Sequence, residues 1–424
     1  MMIKGKIKIS ETLFYTLGVF ATIQLLSLAG ITVFNILLML IAVIYFLLNS
    51  NCLKIDSYFV ISMLGTLLTI FLSACNDSLS SEFKKRAVIG GIIYVLVLLV
   101  YLVMNTKTKY AEKIIRGFEF SCIVTLIWCF LQLGFYYAFH LDINTIVFSK
   151  IFGIAGAASD YHNGAIIPSG FYSHRAILMP SFIYMFFSTS NPYLMIVIIL
   201  MGCLTRSTAL IMGLVLAMLF KVGTFLVTSL YKKVRKKELI VVLSIIVITF
   251  AGIFICRSKI SELVGYMLMR IADATSNKAD NSSVVHFLYY KNLPVIIKKM
   301  NIVNVLFGTG FGTSGQHYVW FNGQYADMGA WVVESDYINI LLSQGIVGII
   351  LWGYILTKII ILSIKYNYWE NIAFVLIVAF VGIMYNIQFT WFIIIEFAFL
   401  LLTKREVRVF NSSFKGKSLL IKSQ

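Results

Sequence analysis

Residues 331–352 read WVVESDYINILLSQGIVGIILW and place two carboxylates at the start of a long apolar stretch. The carboxylates are those of Glu334 and Asp336, and they end the longest hydrophilic segment of the chain. An acidic residue or a serine at a helix start caps free backbone N–H groups and suits the positive end of the helix dipole. We therefore predict a membrane-length helix with both acids at its mouth, a term used below for residues 334–336.

The composition extends this prediction to the whole chain. The 424 residues are 60% hydrophobic and 12% charged, which leaves too little polar surface to cover a soluble globule of this size. Apolar runs of about 18 or more residues recur, each long enough to cross a bilayer as a helix. The sequence predicts an all-α polytopic integral membrane protein, a single membrane domain over 1–424 with about twelve transmembrane helices. The predicted spans lie near 12–29, 31–48, 57–74, 88–104, 117–139, 175–190, 193–212, 214–230, 239–256, 337–360, 371–386 and 387–402.

The distribution of charge predicts the orientation of these spans. The basic N-terminus runs into apolar sequence without a small-residue cleavage site, which indicates a retained cytoplasmic end. With both termini cytoplasmic, the cytoplasmic segments carry 20 Lys and Arg against 6 acids, and the external segments carry 13 against 10. This asymmetry follows the positive-inside rule. The formal charge of +17 therefore indicates topology and not a nucleic-acid partner.

This topology has two large external loops, at about 140–174 and 257–336, and the second precedes the tenth span. The basic loop 231–237 and the basic C-terminal tail 403–424 are then cytoplasmic. The basic cluster 84–86 falls on the external side, so it either reaches lipid headgroups or shows that the first spans are miscounted. Because loops on rigid scaffolds often carry chemistry, both external loops are candidate sites.

Metal-binding patterns are absent from the sequence. The six cysteines show no CxxC spacing and lie mostly in or beside apolar runs, as small buried hydrophobes do. The five histidines show neither HxxxH nor HExxH spacing. We expect no metal, no other cofactor and no disulfide framework.

Two arginines stand out beside or within apolar sequence. Arg175 opens the sixth predicted span, where it either reaches lipid phosphate or grips a phosphate of a substrate. Arg206 lies inside an apolar stretch, and a turn at Thr205 would leave the preceding helix only about 12 residues, or roughly 18 Å. We therefore place the turn near Gly213, with Arg206 below the outer surface. A charge at that depth favours a polar cavity over a purely structural ion pair.

The second external loop has three features. Arg270 comes first, and an amphipathic stretch at 282–300 follows, whose apolar face predicts a helix lying in the membrane interface. The segment LFGTGFGTSG at 306–315 contains a GxGxxG match, but no strand precedes it and no βαβ unit surrounds it. We predict that its glycines permit tight turns beneath the helix mouth.

The two carboxylates are expected to differ in role. Asp336 lies where a helix cap is needed, so we predict that it closes the helix. Glu334 lies outside the cap and is the better candidate for a general base.

The order of these features resembles the O-antigen polymerase and ligase superfamily, the Wzy and WaaL types of membrane glycosyltransferase. The resemblance covers about 170–355 and is strongest at Gly345 and Gly348 in SQGIVG. The matching segments are SGFYSHRAILMP, LTRSTALIMG, LFGTGFG and ESDYINILLSQGIVGIILW.

The resemblance implies transfer of a glycan from a polyprenyl-pyrophosphate carrier to an acceptor sugar, at the outer face of the bacterial cytoplasmic membrane. Arginines bind the pyrophosphate in that family, and by position these are Arg175, Arg206 and Arg270. A residue at the helix mouth, Glu334 or Asp336, activates the acceptor hydroxyl. The implied partners are the lipid-linked donor and acceptor, membrane lipids, a chain-length regulator and a flippase.

The helix mouth departs from the ligase pattern. Ligases carry His-Asn there, whereas this chain has Glu334, Ser335 and Asp336. The difference favours a repeat-unit polymerase, with ligase activity as the alternative. A transporter for the same lipid-linked glycan is a third possibility, but transporters often show two related halves, and we see no such halves in the sequence.

Overall fold

Helices make up most of the part of the chain that the computed structural model describes. The helices are α1 Ile9–Val19, α2 Val33–Asn49, α3 Ser57–Ala74, α4 Ser81–Thr106, α5 Lys109–Phe139, α6 Met179–Ser188, α7 Pro192–Leu204, α8 Thr208–Tyr231, α9 Ser282–Lys299, α10 Ile302–Phe307, α11 Ser314–Val319, α12 Asp336–Lys365, α13 Trp369–Val381 and α14 Phe392–Thr403. Two hairpins, β1 Ser27–Leu28 with β2 Ile31–Thr32 and β3 Asp160–His162 with β4 Ala165–Ile167, and a π-helix at Thr145–Ile151 complete the elements. The described residues are 9–20, 27–28, 31–77, 79–151, 160–162, 165–168, 170, 178–189, 191–205, 208–231, 282–319, 333, 335–366, 368–383 and 392–403.

Membrane-length helices are present in this part of the chain. Of the described helices, α3, α4, α5 and α12 are long and apolar enough to cross a bilayer. Several shorter helices, including α2, α13 and α14, are also apolar. The mostly helical, apolar architecture predicted from composition is confirmed at this level.

The packing leaves apolar side chains on the sides of the bundle. Leu64 and Phe71 on α3 are 62% and 64% exposed, and Ile350 on α12 is 63% exposed. By contrast, α14 is buried at Ile393–Leu402 and packs against α4, α5 and α12. A helix that is apolar on every side belongs in an interior, and large apolar outer faces suit a lipid environment.

The first predicted span is wrong in its second half. Helix α1 ends at Val19, and Ser27–Leu28 pairs with Ile31–Thr32 in an antiparallel hairpin. Hydropathy alone cannot distinguish a short apolar strand from a helix segment. A two-residue connection that contains a glycine is a common hairpin turn, and the sequence has Gly30 there.

The turn predicted near Gly213 is also wrong. Helix α7 ends at Leu204, α8 begins at Thr208, and Gly213 lies inside α8. The hydroxyl of Thr205 donates to the carbonyl of Gly202 at 2.7 Å, a side-chain bond that competes with helix continuation. Helix α7 is therefore about 20 Å long, which is too short to span a bilayer alone. The turn was predicted near Gly213 because this helix was expected to span.

The basic cluster at 84–86 lies in the first turns of α4, which starts seven residues earlier than predicted. Lys84 pairs with Asp77 at 3.2 Å, and Arg86 lies 3.8 Å from Glu82. Two of the three cations in the cluster therefore have an acidic neighbour.

One end of the bundle collects several chain segments. The C-terminal end of α3 and the start of α4 meet the glycine loop at Gly310, which packs against Ser73 and Ala87. At the same end, α9, α10 and α11 pack against α12, and α12 starts beside the C-terminal end of α13. This end of the bundle contains Ser335 and Asp336 of the helix mouth.

Candidate functional site

Asp336 is the predicted site residue that the structure describes. Glu334, Arg175, Arg206 and Arg270 lie outside the described residues. Their roles stay predictions.

The carboxylate of Asp336 is fully buried at the first residue of α12. Ser335, and not Asp336, occupies the N-cap position, so the predicted capping role of Asp336 is wrong. The backbone of Ser335 is extended, with φ −147° and ψ 126°, and its carbonyl accepts the N–H of Asn339 at 2.9 Å, as a cap residue does. Asp336 therefore projects from the first helical turn, where the helix dipole favours a negative charge.

The start of α12 is bonded to the C-terminal end of α13. The N–H of Asp336 donates to the carbonyl of Gly382 at 2.8 Å. The hydroxyl of Tyr337 donates to the carbonyl of Ala379, also at 2.8 Å. These donors satisfy carbonyls that have no partner within their own helix, and they fix the helix mouth against α13.

Tyr290 joins the loop helix α9 to this junction. Its hydroxyl donates to the carbonyl of Ile383 at 2.7 Å and lies 2.8 Å from the Ser335 hydroxyl. Because the single phenol proton goes to the carbonyl, Ser335 is the donor in the second bond. Burial, and then the charge of Asp336, raise the pKa of Tyr290, so the phenol keeps its proton.

Helix α12 is broken at Gly345, where φ is 69° and ψ is −166°. This conformation is open essentially only to glycine. A Cβ at Gly345 would also lie 2.3 Å from the carbonyl carbon and oxygen of Leu306. The break divides α12 into a first segment of residues 336–344 and a second of 346–365.

The glycine loop at 306–313 fills the break. The N–H groups of Thr309 and Gly310 donate to the carbonyls of Leu342 and Ser343, each at 2.9 Å. A helix that stops at Gly345 leaves those carbonyls without their i+4 donors, and the loop supplies replacements. Gly308, with φ 75°, lets the loop approach so closely that a Cβ there would lie 2.2 Å from the Ser343 backbone.

The prediction that these glycines permit tight turns is confirmed, because Gly308, Gly310 and Gly312 all have positive φ. The loop is also inserted between α3 and α4. Phe311 is 3% exposed and stacks on Tyr94 of α4 with ring centroids 4.8 Å apart. The hydroxyl of Thr69 on α3 donates to the carbonyl of Phe307 at 3.2 Å. The loop therefore re-enters the bundle instead of covering it.

His317 on α11 and two threonines of this loop form a buried network. Thr309 Oγ1 lies 2.8 Å from His317 Nε2 and 2.8 Å from Thr313 Oγ1. Thr313 Oγ1 donates to the carbonyl of Gly310 at 2.7 Å. One consistent assignment has Nε2–H of His317 donating to Thr309, Thr309 to Thr313, and Thr313 to that carbonyl. Burial lowers the pKa of His317 to about 4, so the ring is neutral at pH 7.

The first segment of α12 presents a stripe of three buried polar residues. Asp336, Asn339 and Ser343 are spaced i, i+3 and i+7, which places them on one face of a helix. Asn339 Oδ1 accepts from Ser314 Oγ at 2.6 Å and from Ser343 Oγ at 3.2 Å. Through Ser314, the stripe contacts helix α11.

The sequence reasoning missed most of these residues. The signal in α12 was present as the spacing D-x-x-N-x-x-x-S in an otherwise apolar segment. No comparable pattern marks Tyr290, whose partners lie 45 and 93 residues away, or the local contacts of Thr309 with Thr313 and His317.

Two other charged residues within the bundle have structural partners. Lys221 on α8 donates to the carbonyls of Phe186 at 2.9 Å and Thr189 at 3.1 Å, which end α6. Glu119 on α5 accepts from the hydroxyl of Tyr184 at 2.7 Å. These contacts give each partly buried ionisable group a donor or acceptor, as an apolar environment requires.

The candidate site is thus a set of buried polar side chains at one end of an apolar bundle. It holds a carboxylate at a helix N-terminus, a neutral imidazole and several hydroxyl groups. Such groups can orient a bound hydroxyl and accept its proton. Across the described segments, no three His, Cys, Asp or Glu side chains converge as metal ligands do. Comparison with protein-family models and with curated proteins finds no match to this chain.

Proposed function

We propose that this chain polymerises lipid-linked oligosaccharide repeat units into a surface polysaccharide at the outer face of the bacterial cytoplasmic membrane. The observation that carries the proposal is Asp336, a buried carboxylate at the mouth of a broken apolar helix, beside a loop that re-enters the bundle. The resemblance of 170–355 to membrane glycosyltransferases supplies the substrate class. The same proposal includes about twelve spans and two cytoplasmic termini.

The proposed reaction is a single displacement at the anomeric carbon. The acceptor hydroxyl oxygen forms a bond to that carbon as the bond to the pyrophosphate oxygen breaks, and the pyrophosphate carrier leaves with the electron pair. The hydroxyl proton passes to the carboxylate of Glu334. Asp336 maintains the negative potential of the site from its buried position, and Arg175, Arg206 and Arg270 stabilise the charge on the leaving group. The configuration at the anomeric carbon is inverted.

A deletion strain tests the proposal directly. If the chain is the polymerase, cells that lack it accumulate a carrier lipid bearing one repeat unit and make no long chains. Loss of a ligase would instead leave long chains attached to their carrier. Normal long chains at their usual destination would refute both enzymatic functions.

The break in α12 also bears on the transporter alternative, because discontinuous helices form binding sites in many transporters. Purified protein in detergent separates the two functions, since detergent leaves no compartment to transport across. Elongation of lipid-linked repeats under these conditions would exclude a purely transporting role. Absence of elongation by correctly folded protein with donor and acceptor present would count against the polymerase.

Matched amide substitutions distinguish the roles of the two carboxylates at the helix mouth. Glu334→Gln removes the proposed base, and we expect polymer synthesis to fall by at least about 100-fold, the lower range for a general base. Asp336→Asn keeps the size and the burial of the side chain, and we expect a smaller loss of activity together with reduced thermal stability. Wild-type activity in Glu334→Gln would place the base elsewhere.

A further inference from the structure

The outer face of helix α9 carries lysines that its packing does not explain. Tyr289 and Ile296 lie on the opposite face, where they pack against Val333, Ile338 and Leu342. Lys291 and Lys298 are seven residues apart, so they share the exposed face, with Val295 between them.

Helix electrostatics explain only part of this charge. Lys298 lies in the last turn of α9, where a cation suits the helix dipole. Lys291 lies two turns earlier, outside the range of that effect. Among the residues that the structure describes, no carboxylate lies within 4.0 Å of either lysine nitrogen. With respect to this described part of the chain, the two cations are available to a partner of opposite charge.

An apolar surface adjoins these lysines. Helix α10 begins three residues after α9 ends, and its residues Ile302, Val303 and Leu306 are 70%, 40% and 38% exposed. Helix α10 packs between α3 and α12, whose own outer faces are apolar at Phe71 and Ile350. The exposed side chains of α10 thus continue the apolar outer surface of the bundle, and Ile302 follows Lys298 by four residues.

We propose that Lys291 and Lys298, with the exposed residues of α10, bind an anionic phospholipid of the surrounding bilayer. The lysines contact the headgroup phosphate, and the acyl chains lie against Ile302 and Leu306. Cations beside an apolar surface match both parts of such a lipid, and each lysine near an anionic membrane adds to the attraction. Because α9 also carries Tyr290, the bound lipid holds the helix mouth in place. This proposal does not depend on the identity of the glycan reaction.

Native mass spectrometry of the full chain in detergent tests the proposal. The probes are phosphatidylglycerol and phosphatidylcholine, two lipids with similar acyl chains and different charge. We expect wild-type protein to retain phosphatidylglycerol preferentially, and the double variant K291Q/K298Q to retain it roughly tenfold less. The matched control K54Q/K150Q removes the same charge from two other exposed lysines and should retain the lipid as the wild type does.

Further measurements separate the two parts of the surface. Ile302→Asn should weaken retention of both lipids, because it disrupts the apolar contact and leaves the charge unchanged. Hydrogen exchange over 282–299 should slow when phosphatidylglycerol is added to the wild type and stay unchanged in K291Q/K298Q. Equal retention of the two lipids by the wild type, undiminished retention by K291Q/K298Q, or a protein partner bound to this face would overturn the proposal. None of these measurements involves glycan transfer, so their failure is distinct from failure of the proposed function.

Discussion

Replacement of Gly345 by alanine should destabilise the protein, although helix propensity alone predicts the reverse. Within a continuous helix, Gly→Ala stabilises by about 0.5–1 kcal/mol. Gly345 instead has φ 69° and ψ −166°, a conformation that costs a residue with a Cβ about 1–3 kcal/mol. The sign of the effect therefore reports whether α12 is broken.

A steric term adds to this conformational cost. The new Cβ would lie 2.3 Å from backbone atoms of Leu306, which cannot rotate away as a side chain can. Relief requires the loop to move, which breaks the two bonds from the N–H groups of Thr309 and Gly310. Each such bond contributes about 1 kcal/mol net. The total expected loss in the free energy of unfolding is about 3–5 kcal/mol.

Reversible denaturant unfolding in detergent measures this loss, and limited proteolysis of the loop at 306–313 reports where it occurs. Gly353→Ala is the matched control, because it lies in the second segment of the same helix and a Cβ there meets no atom within 4 Å. The control should be neutral or slightly stabilising. If Gly345→Ala also changed the stability by less than about 0.5 kcal/mol, the broken helix and its interlocked loop would be refuted.

Three further predictions concern the same end of the bundle. Tyr290→Phe removes two hydrogen bonds, so it should lower the free energy of unfolding by about 1–3 kcal/mol and speed proteolysis of α9. The control Tyr193→Phe changes a side chain that is 78% exposed and should have neither effect. Burial lowers the pKa of His317 to about 4, below its unfolded value of about 6.5. Between those pH values the unfolded chain takes up a proton that the folded chain excludes, so the free energy of unfolding falls by up to about 3 kcal/mol as the pH drops. His317→Gln should therefore flatten this part of the pH profile of the melting temperature. An unchanged profile would contradict a buried neutral ring. Phe311→Ala empties a site that is 3% exposed beside Tyr94 and should cost about 3–5 kcal/mol in denaturant unfolding, and a loss below about 1 kcal/mol would show that the loop does not enter the bundle.

Composition and hydropathy were sufficient to predict apolar helices, since an apolar run of membrane length has few other stable states in lipid. The span predicted at 57–74 coincides with α3, and the amphipathic stretch at 282–300 is confirmed as the helix α9. The prediction failed where two elements share one apolar run. At Thr205 a local side-chain bond ends the helix, and at Ser27–Thr32 a hairpin replaces it.

The candidate site was only partly predictable for a related reason. Asp336 was found because it lies at a polarity change that the sequence displays directly. The contacts of Tyr290 with Ser335 and Ile383 join positions 45 and 93 residues apart, and no local pattern encodes such distances. The role of Gly345 was also hidden, because a glycine in an apolar helix has the same local signal whether the helix continues or breaks.

The amino-acid sequence by itself determined that this chain forms apolar helices and that two acids lie where the apolar stretch of α12 begins. These are consequences of hydropathy and of the free N–H groups at a helix start, both of which act over a few residues. Only the tertiary structure decided that α12 breaks at Gly345 and that the loop at 306–313 supplies the missing donors. The physical reason is that carbonyls freed by a break must find partners, and those partners are brought close only when the whole bundle has packed.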